Sequence, residues 1–115
     1  MHALFVMDRA PYEDAATQEK LDLVLMGAAF DWHVAVLWLD QGVYQLLAGT
    51  TPPHTGHLAG TALAHTLRWQ GIDACYVEAE SLTERGLCRD ALALPVTPIA
   101  RAELGAWLNR FDLII

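Results

Sequence analysis

Val34-Ala35-Val36-Leu37-Trp38-Leu39 carries no polar side chain at any of its positions. A strand with one wet face alternates apolar and polar residues with a period of two. An unbroken apolar run instead needs cover on both faces, the condition of a strand inside a parallel sheet flanked by helices. Ala3-Leu4-Phe5-Val6-Met7 has the same character and is stopped by Asp8-Arg9-Ala10-Pro11. Ala74-Cys75-Tyr76-Val77 reads as a third strand and Leu113-Ile114-Ile115 as a terminal one. Leu92-Ala93-Leu94-Pro95-Val96 reads as a fourth strand, confined to a sheet edge because Pro95 has no N–H to donate.

Helical periods fill the gaps. From Asp14, a good N-cap residue, Leu21, Val24, Leu25 and Ala28 recur at helical spacing, and Leu23, Met26, Gly27 and Phe30 form a second stripe. Two apolar stripes predict a helix covered on two sides, by its own sheet and by something else. Asp40-Gln41-Gly42 ends the second strand, and Val43-Tyr44-Gln45-Leu46-Leu47 reads as a short helical turn. Ala48-Gly49-Thr50-Thr51-Pro52-Pro53-His54-Thr55-Gly56 reads as a loop. A helix is expected over 57–70, stopped by Gly71. Ser81-Leu82-Thr83-Glu84 has the spelling of a capping box, with Gly86 closing a single turn. Thr97-Pro98 has that of a cap followed by a first-turn proline, before an apolar face of Leu104, Trp107, Leu108 and Phe111. Strands alternating with helices imply right-handed crossovers, hence a three-layer α/β sandwich on a mostly parallel sheet of about five strands. With 115 residues, a single domain over 1–115 is expected.

Composition narrows the function. Hydrophobic residues make up 54% of the chain and charged ones 18%, which excludes intrinsic disorder. Two cysteines are too few for a disulfide scaffold. No apolar run reaches the ~18 residues of a membrane span, and the N-terminus lacks the pattern of a signal peptide. A cytoplasmic protein with no membrane partner is expected. The formal charge is −7, Lys20 is the only lysine, and no two basic residues are adjacent. Gripping a phosphate backbone needs clustered cations, so no direct nucleic-acid contact is expected. So small a domain buries only about two-thirds of its unfolded surface. A chain this apolar therefore exposes a good deal of Leu, Ala and Trp unless another chain covers it, and reads as a subunit.

Ligands of parallel sheets sit beyond the carboxyl ends of the strands. Asp8 and Arg9, Asp40 and Gln41, and Glu78 and Glu80 fall there, a poor cradle for phosphate. Neither Gly-x-Gly-x-x-Gly nor Gly-x-x-x-x-Gly-Lys occurs, which argues against nucleotide or flavin, and no cofactor is expected. A phosphate-accepting receiver domain resembles the chain at Asp8 but needs a lysine near the last strands, and none follows Lys20. Cys75 lies mid-strand, where a thiol is usually a small buried hydrophobe. Cys88, in Arg85-Gly86-Leu87-Cys88-Arg89, is the one candidate nucleophile, since flanking arginines favour a thiolate. His54 and His57 are close in sequence, but a zinc site needs three or four ligands, and no metal is expected. His2, His33 and His65 show no partner spacing. Trp32, Trp38, Trp69 and Trp107 read as core or subunit contacts. Gly-x-Ser-x-Gly is absent.

Asp8-Arg9-Ala10-Pro11-Tyr12, Gly27-Ala28-Ala29-Phe30-Asp31, Leu39-Asp40-Gln41-Gly42-Val43-Tyr44-Gln45-Leu46-Leu47, Glu80-Ser81-Leu82-Thr83-Glu84-Arg85-Gly86-Leu87 and Asp112-Leu113-Ile114-Ile115 together resemble the TusC/DsrF branch of the DsrE/DsrF-like sulfur-relay proteins. The resemblance implies a Rossmann-like, flavodoxin-like subunit of a hetero-hexamer shared with TusB-like and TusD-like sister chains. Such complexes take persulfide sulfur from small carrier proteins and pass it on for 2-thiolation of the tRNA wobble uridine. In DsrEFH-like complexes related chains serve sulfur oxidation. The resemblance marks Asp40, Gly42, Val43, Tyr44, Gln45, Leu46, Arg85 and Gly86 as family-motif or interface positions. It also implies that the persulfide-bearing cysteine belongs to the sister TusD/DsrE chain, seven residues before the Arg of its Arg-Gly pair. Counting back from Arg85 gives Glu78, and Cys75 lies three residues away from it. A thiolate among Glu78, Glu80 and Asp40 would also be disfavoured by like charge. The expected role is therefore architectural, with a sulfurtransferase acting through Cys88 as the alternative.

Overall fold

The computed structural model describes residues 1–11, 16–47 and 60–115. Five strands, β1 (His2–Met7), β2 (His33–Trp38), β3 (Ala74–Glu78), β4 (Thr97–Ile99) and β5 (Leu113–Ile114), form one sheet in the order β4-β3-β2-β1-β5. Every pairing among them is parallel. Helices α1 (Ala16–Ala29), α2 (Gly60–Trp69), α3 (Ala79–Glu84) and α4 (Arg101–Leu108) connect them, with a 3₁₀ segment over Asp40–Leu46.

Strand alternation sorts the core into two layers. Phe5, Met7, Val36, Trp38, Cys75 and Val77 face α1 and α2, meeting Leu21, Val24, Leu63 and Leu67. Leu4, Ala35, Leu37 and Ile99 face the other way, under Trp107. Among the described residues only α4 crosses that second face, because it must return from edge strand β4 to the opposite edge β5. Its Trp107 packs edge-on against Tyr76 and Phe111, with ring centroids 4.8 and 4.9 Å away. The sandwich therefore has three layers, as the apolar runs require.

Two expectations fail in the stretch 92–98. Leu92–Val96 is not a strand: Leu92 bridges Leu47, and Ala93 N–H donates to the Leu46 carbonyl at 2.8 Å. Leu94 and Val96 are buried while Pro95, just after the bend at 93–94, is exposed, so this apolar run packs on the 3₁₀ segment instead of joining the sheet. The strand is Thr97–Ile99, and Thr97-Pro98 starts no helix. A residue before proline is pushed out of the α region. Pro98 sits on the edge strand, where its missing N–H costs nothing. Helix α4 begins at Arg101 instead.

Gly71 ends α2 as expected, in the left-handed region at φ +74°. Its N–H bonds the Arg68 carbonyl and that of Ile72 the Leu67 carbonyl, the paired bonds of a Schellman cap. Asp14, Tyr12, the loop 48–56 with its His54, and the expected helix start at His57 lie outside the described residues.

Candidate functional site at the carboxyl ends of the strands

Gly42 lets the 3₁₀ segment press onto the end of β1. An added Cβ there would lie 1.9 Å from the Met7 carbonyl oxygen. Leu39 N–H reaches the same oxygen at 3.1 Å. Three residues on, Gln45 is buried and spends both ends of its amide. Its Nε2 donates to the Arg9 carbonyl at 2.9 Å, and its Oε1 accepts the Trp38 indole N–H at 3.2 Å. Val43 and Leu46 are fully buried beside it. Gly42, Val43, Gln45 and Leu46 are thus interior residues of this chain, whereas Asp40 and Gly86 are exposed and Tyr44 and Arg85 half-buried.

At the end of β3 the chain turns directly into α3, so Glu78 occupies the N-cap position and Ser81 does not. The capping-box expectation fails for this reason. Ser81 is fully buried inside the helix, its hydroxyl donating to Glu78 Oε1 at 2.5 Å and accepting the Asp40 N–H at 2.9 Å. Asp40 itself is left-handed, at φ +50°. Gly86, at φ +66°, closes α3, with its N–H on the Thr83 carbonyl and that of Leu87 on the Leu82 carbonyl.

Arg101, the first residue of α4, completes the cluster. Its Nη2 donates to Glu78 Oε1 at 2.8 Å and to Glu84 Oε1 at 2.7 Å, and its backbone N–H donates to both oxygens of Glu80, at 3.0 and 3.1 Å. Glu80 therefore caps α4 from another element, because Ala100 has no polar side chain to do so. The Arg101 hydrogen bond is the main reason the Glu78 carboxyl lies below the usual carboxylate range; burial opposes it and the Ser81 hydroxyl assists it. Arg101 likewise lowers Glu84, and the two carboxylates raise the guanidinium in return.

The strand ends therefore bring Glu78, Ser81, Glu80, Glu84, Arg101 and Asp40 together, with Glu78 Oε1 and both oxygens of Glu84 accepting from the Arg101 guanidinium. No thiol lies in this cluster. Cys75 precedes Glu78 by three residues, so strand alternation turns it to the opposite face. It is buried, lines a cleft of about 310 Å³ with Leu67, Ile72 and Leu94, and its thiol is pushed up to about 11 by burial and then by Asp73. Cys88 is exposed at the start of a 3₁₀ turn over Arg89–Ala91, beyond Gly86. Among the described residues no three His, Cys, Asp or Glu side chains are placed to hold a metal.

Sequence reasoning missed Arg101, which lies 23 residues from Glu78 and meets it only because β4 is the neighbour of β3. It also missed the pairing of His2 and His33, whose rings stack 4.6 Å apart. That contact exists only in the register that sets His2 opposite His33.

The model of the DsrE/DsrF-like family matches residues 1–115. A protein TusC homolog of Pseudomonas aeruginosa is 38% identical over 112 residues, 97% of this chain and 94% of that protein. The intracellular sulfur oxidation protein DsrF of Allochromatium vinosum is 39% identical over 89 residues, covering 77% of this chain and 65% of that protein. The crystal structure of the ychN protein from E. coli superposes with a TM-score of 0.82 over 100% of this chain and 97% of that one, at 17% identity, a likeness of fold.

Proposed function

The chain belongs to the DsrE/DsrF-like family, and from that premise we propose that it is a non-catalytic subunit of a sulfur-relay complex. It joins TusB-like and TusD-like sister chains in a hetero-hexamer, as a single domain spanning 1–115. The complex accepts persulfide sulfur from small carrier proteins and passes it on for 2-thiolation of the tRNA wobble uridine, in the cytoplasm. This chain itself touches no nucleic acid.

The observation that carries this reading is the state of Glu78. At the position matching the sister chain's cysteine stands a buried carboxylate committed to Arg101 and Ser81. A group so held is a strut between β3, α3 and α4. The thiol nearest in sequence, Cys75, is turned away and protonated at neutral pH. Its raised value leaves almost no thiolate, and the thiolate is the form that attacks sulfur. The names of the TusC and DsrF relatives support the sulfur-relay setting. Asp40, Tyr44, Arg85 and Gly86, the motif positions that reach the surface, contact sister chains, and the buried motif residues shape the strand ends from within.

Likeness to DsrF supports a second reading, a DsrEFH-like role in sulfur oxidation. The exposed Cys88 supports a third, sulfur transfer through this chain's own thiol. Reconstitution with the sister chains and a persulfide donor tests all three. A Cys75→Ser/Cys88→Ser variant keeps full sulfur transfer in the reconstituted complex if the role is architectural, and loses it if Cys88 carries sulfur. Labelled sulfur arriving on tRNA selects thiolation. Failure of the wild-type chain to join the sister chains refutes the subunit reading altogether.

A further inference from the structure

Resting on the subunit reading, we infer that the outer stripe of α1, Leu23, Met26 and Phe30, docks an amphipathic helix of a different chain that carries basic residues where it meets Glu19 and Asp22. The helix is apolar on two sides. Leu21 and Val24 are buried in the core, and Leu25 and Ala28 pack against it. On the outer side Leu23, Met26 and Phe30 are 42%, 54% and 67% exposed. Their spacing of three and then four residues aligns them along one helical face, the arrangement by which a helix meets another helix. The stripe is preformed. Phe30 follows the last helical residue, but its N–H bonds the carbonyls of Met26 and Gly27, and its ring lies 6.4 Å from that of Trp32.

Charge decides between a second copy and a different chain. Glu19 and Asp22 are exposed in the N-terminal half of the same helix, where Asp22 Oδ1 accepts from the neutral Gln18 Nε2 at 3.2 Å. The one cation of α1, Lys20, is turned away, its Nζ bonded to the Val6 carbonyl at 2.8 Å. An antiparallel pairing of two copies centred on Met26 sets residue 26+k against 26−k, so each Phe30 ring lands on the Asp22 carboxylate of the other. Two carboxylates would then be desolvated with no base to pair them, and such burial is costly. A parallel pairing sets Asp22 on Asp22 and Glu19 on Glu19. Both arrangements also bring together chains of formal charge −7. A partner helix with its own apolar stripe and a lysine or arginine at the end facing Glu19 and Asp22 removes both penalties, and the rim charges speed its approach.

The test is co-expression of this chain with its TusB-like and TusD-like sister chains, with mass in solution measured by light scattering and binding by surface resonance. Met26→Glu/Phe30→Glu is expected to weaken assembly by about 100-fold or more, as loss of two central apolar anchors does. Its circular dichroism and melting stay those of the wild type, since both side chains point outward. Glu19→Lys/Asp22→Lys, a surface change that leaves the apolar stripe intact, is expected to slow association about tenfold and remove its salt dependence. If the wild-type chain joins its sisters and the double glutamate variant joins them equally well, this docking surface is refuted while the subunit reading stands. If the chain self-associates alone and the glutamate variant becomes monomeric, the occupant is a second copy and the inference is overturned. If the wild type joins neither sister chain, the subunit reading itself falls.

Discussion

Replacing Gly42 with alanine would place a methyl group 1.9 Å from the Met7 carbonyl oxygen, 2.5 Å from its carbon and 3.0 Å from Asp8 N. The nearest atoms are main chain at the end of β1, so no rotamer change relieves the clash. Restoring ordinary contact of about 3.5 Å means moving the 3₁₀ segment off β1 by well over 1 Å. Overpacking that side chains can absorb costs about 1–3 kcal/mol. With backbone on both sides the upper end applies, and the shift also strains the Leu39 N–H bond to the same oxygen, a further ~1 kcal/mol. The expected loss is about 4 kcal/mol, a large share of the roughly 5–15 kcal/mol that holds a domain folded. The melting midpoint should fall by about 15 °C. Urea unfolding followed by tryptophan fluorescence reads this directly, since Trp38 is fully buried beside the segment. Gly105→Ala is the control. That glycine lies in α4 with nothing within 4 Å of an added Cβ, and the change should stabilise by about 0.5–1 kcal/mol through helix propensity. A Gly42→Ala protein within about 1 kcal/mol of wild type would show that β1 and the 3₁₀ segment are not in the contact described, and the reasoning would fail.

Ser81→Ala removes the acceptor of the Asp40 N–H and one donor to Glu78, and should cost about 1–3 kcal/mol in chemical denaturation. Glu78 has a lowered folded-state value, so its stabilisation is present above the unfolded carboxylate value of about 4.5 and is lost as pH falls through its folded one. Unfolding free energy should therefore decline below about pH 5, and Glu78→Gln should flatten that decline while lowering stability at pH 7. Cys75 has the opposite linkage: the folded chain holds a proton that the unfolded chain releases from about 9 upward, so stability should fall between pH 9 and 11, and less so in Cys75→Ala. Alkylation of the native protein near pH 7.5, followed by mass spectrometry, should label Cys88 at least about 100-fold faster than Cys75. Equal rates would contradict the burial of Cys75.

Four of the strands were legible as apolar runs, three of them (β1, β2 and β3) because a strand between two helical layers has no wet face to mark with polar residues; β5 is equally apolar although its Ile114 is exposed at the sheet edge. The inner stripe of α1 and the glycine stops at Gly71 and Gly86 were legible for similarly local reasons. The stretch 92–98 was not. Leu92–Val96 has strand composition, yet its Leu94 and Val96 are buried in the core beside the 3₁₀ segment, and the adjacent Thr97–Ile99, two of whose three residues are proline-restricted, takes the edge position. Nothing within seven residues distinguishes those two outcomes. Ser81 misled for a related reason: its spacing to Glu84 fits a cap, but a hydroxyl able to cap is equally able to bind a carboxylate and a neighbouring loop.

By itself, then, the order of apolar and polar residues determined the layers and the parallel sheet, since both depend on residues near one another in the chain, and residue identity alone puts Glu78, not a cysteine, seven positions before Arg85. Which groups meet at the strand ends was decided by the tertiary structure. Arg101 reaches Glu78 across 23 residues because β4 lies beside β3, and His2 stacks on His33 because β1 lies beside β2 in that register. A charge pair of this kind has no periodicity to announce it. It comes into being only when the order of the strands brings its two ends within the ~3 Å reach of a hydrogen bond.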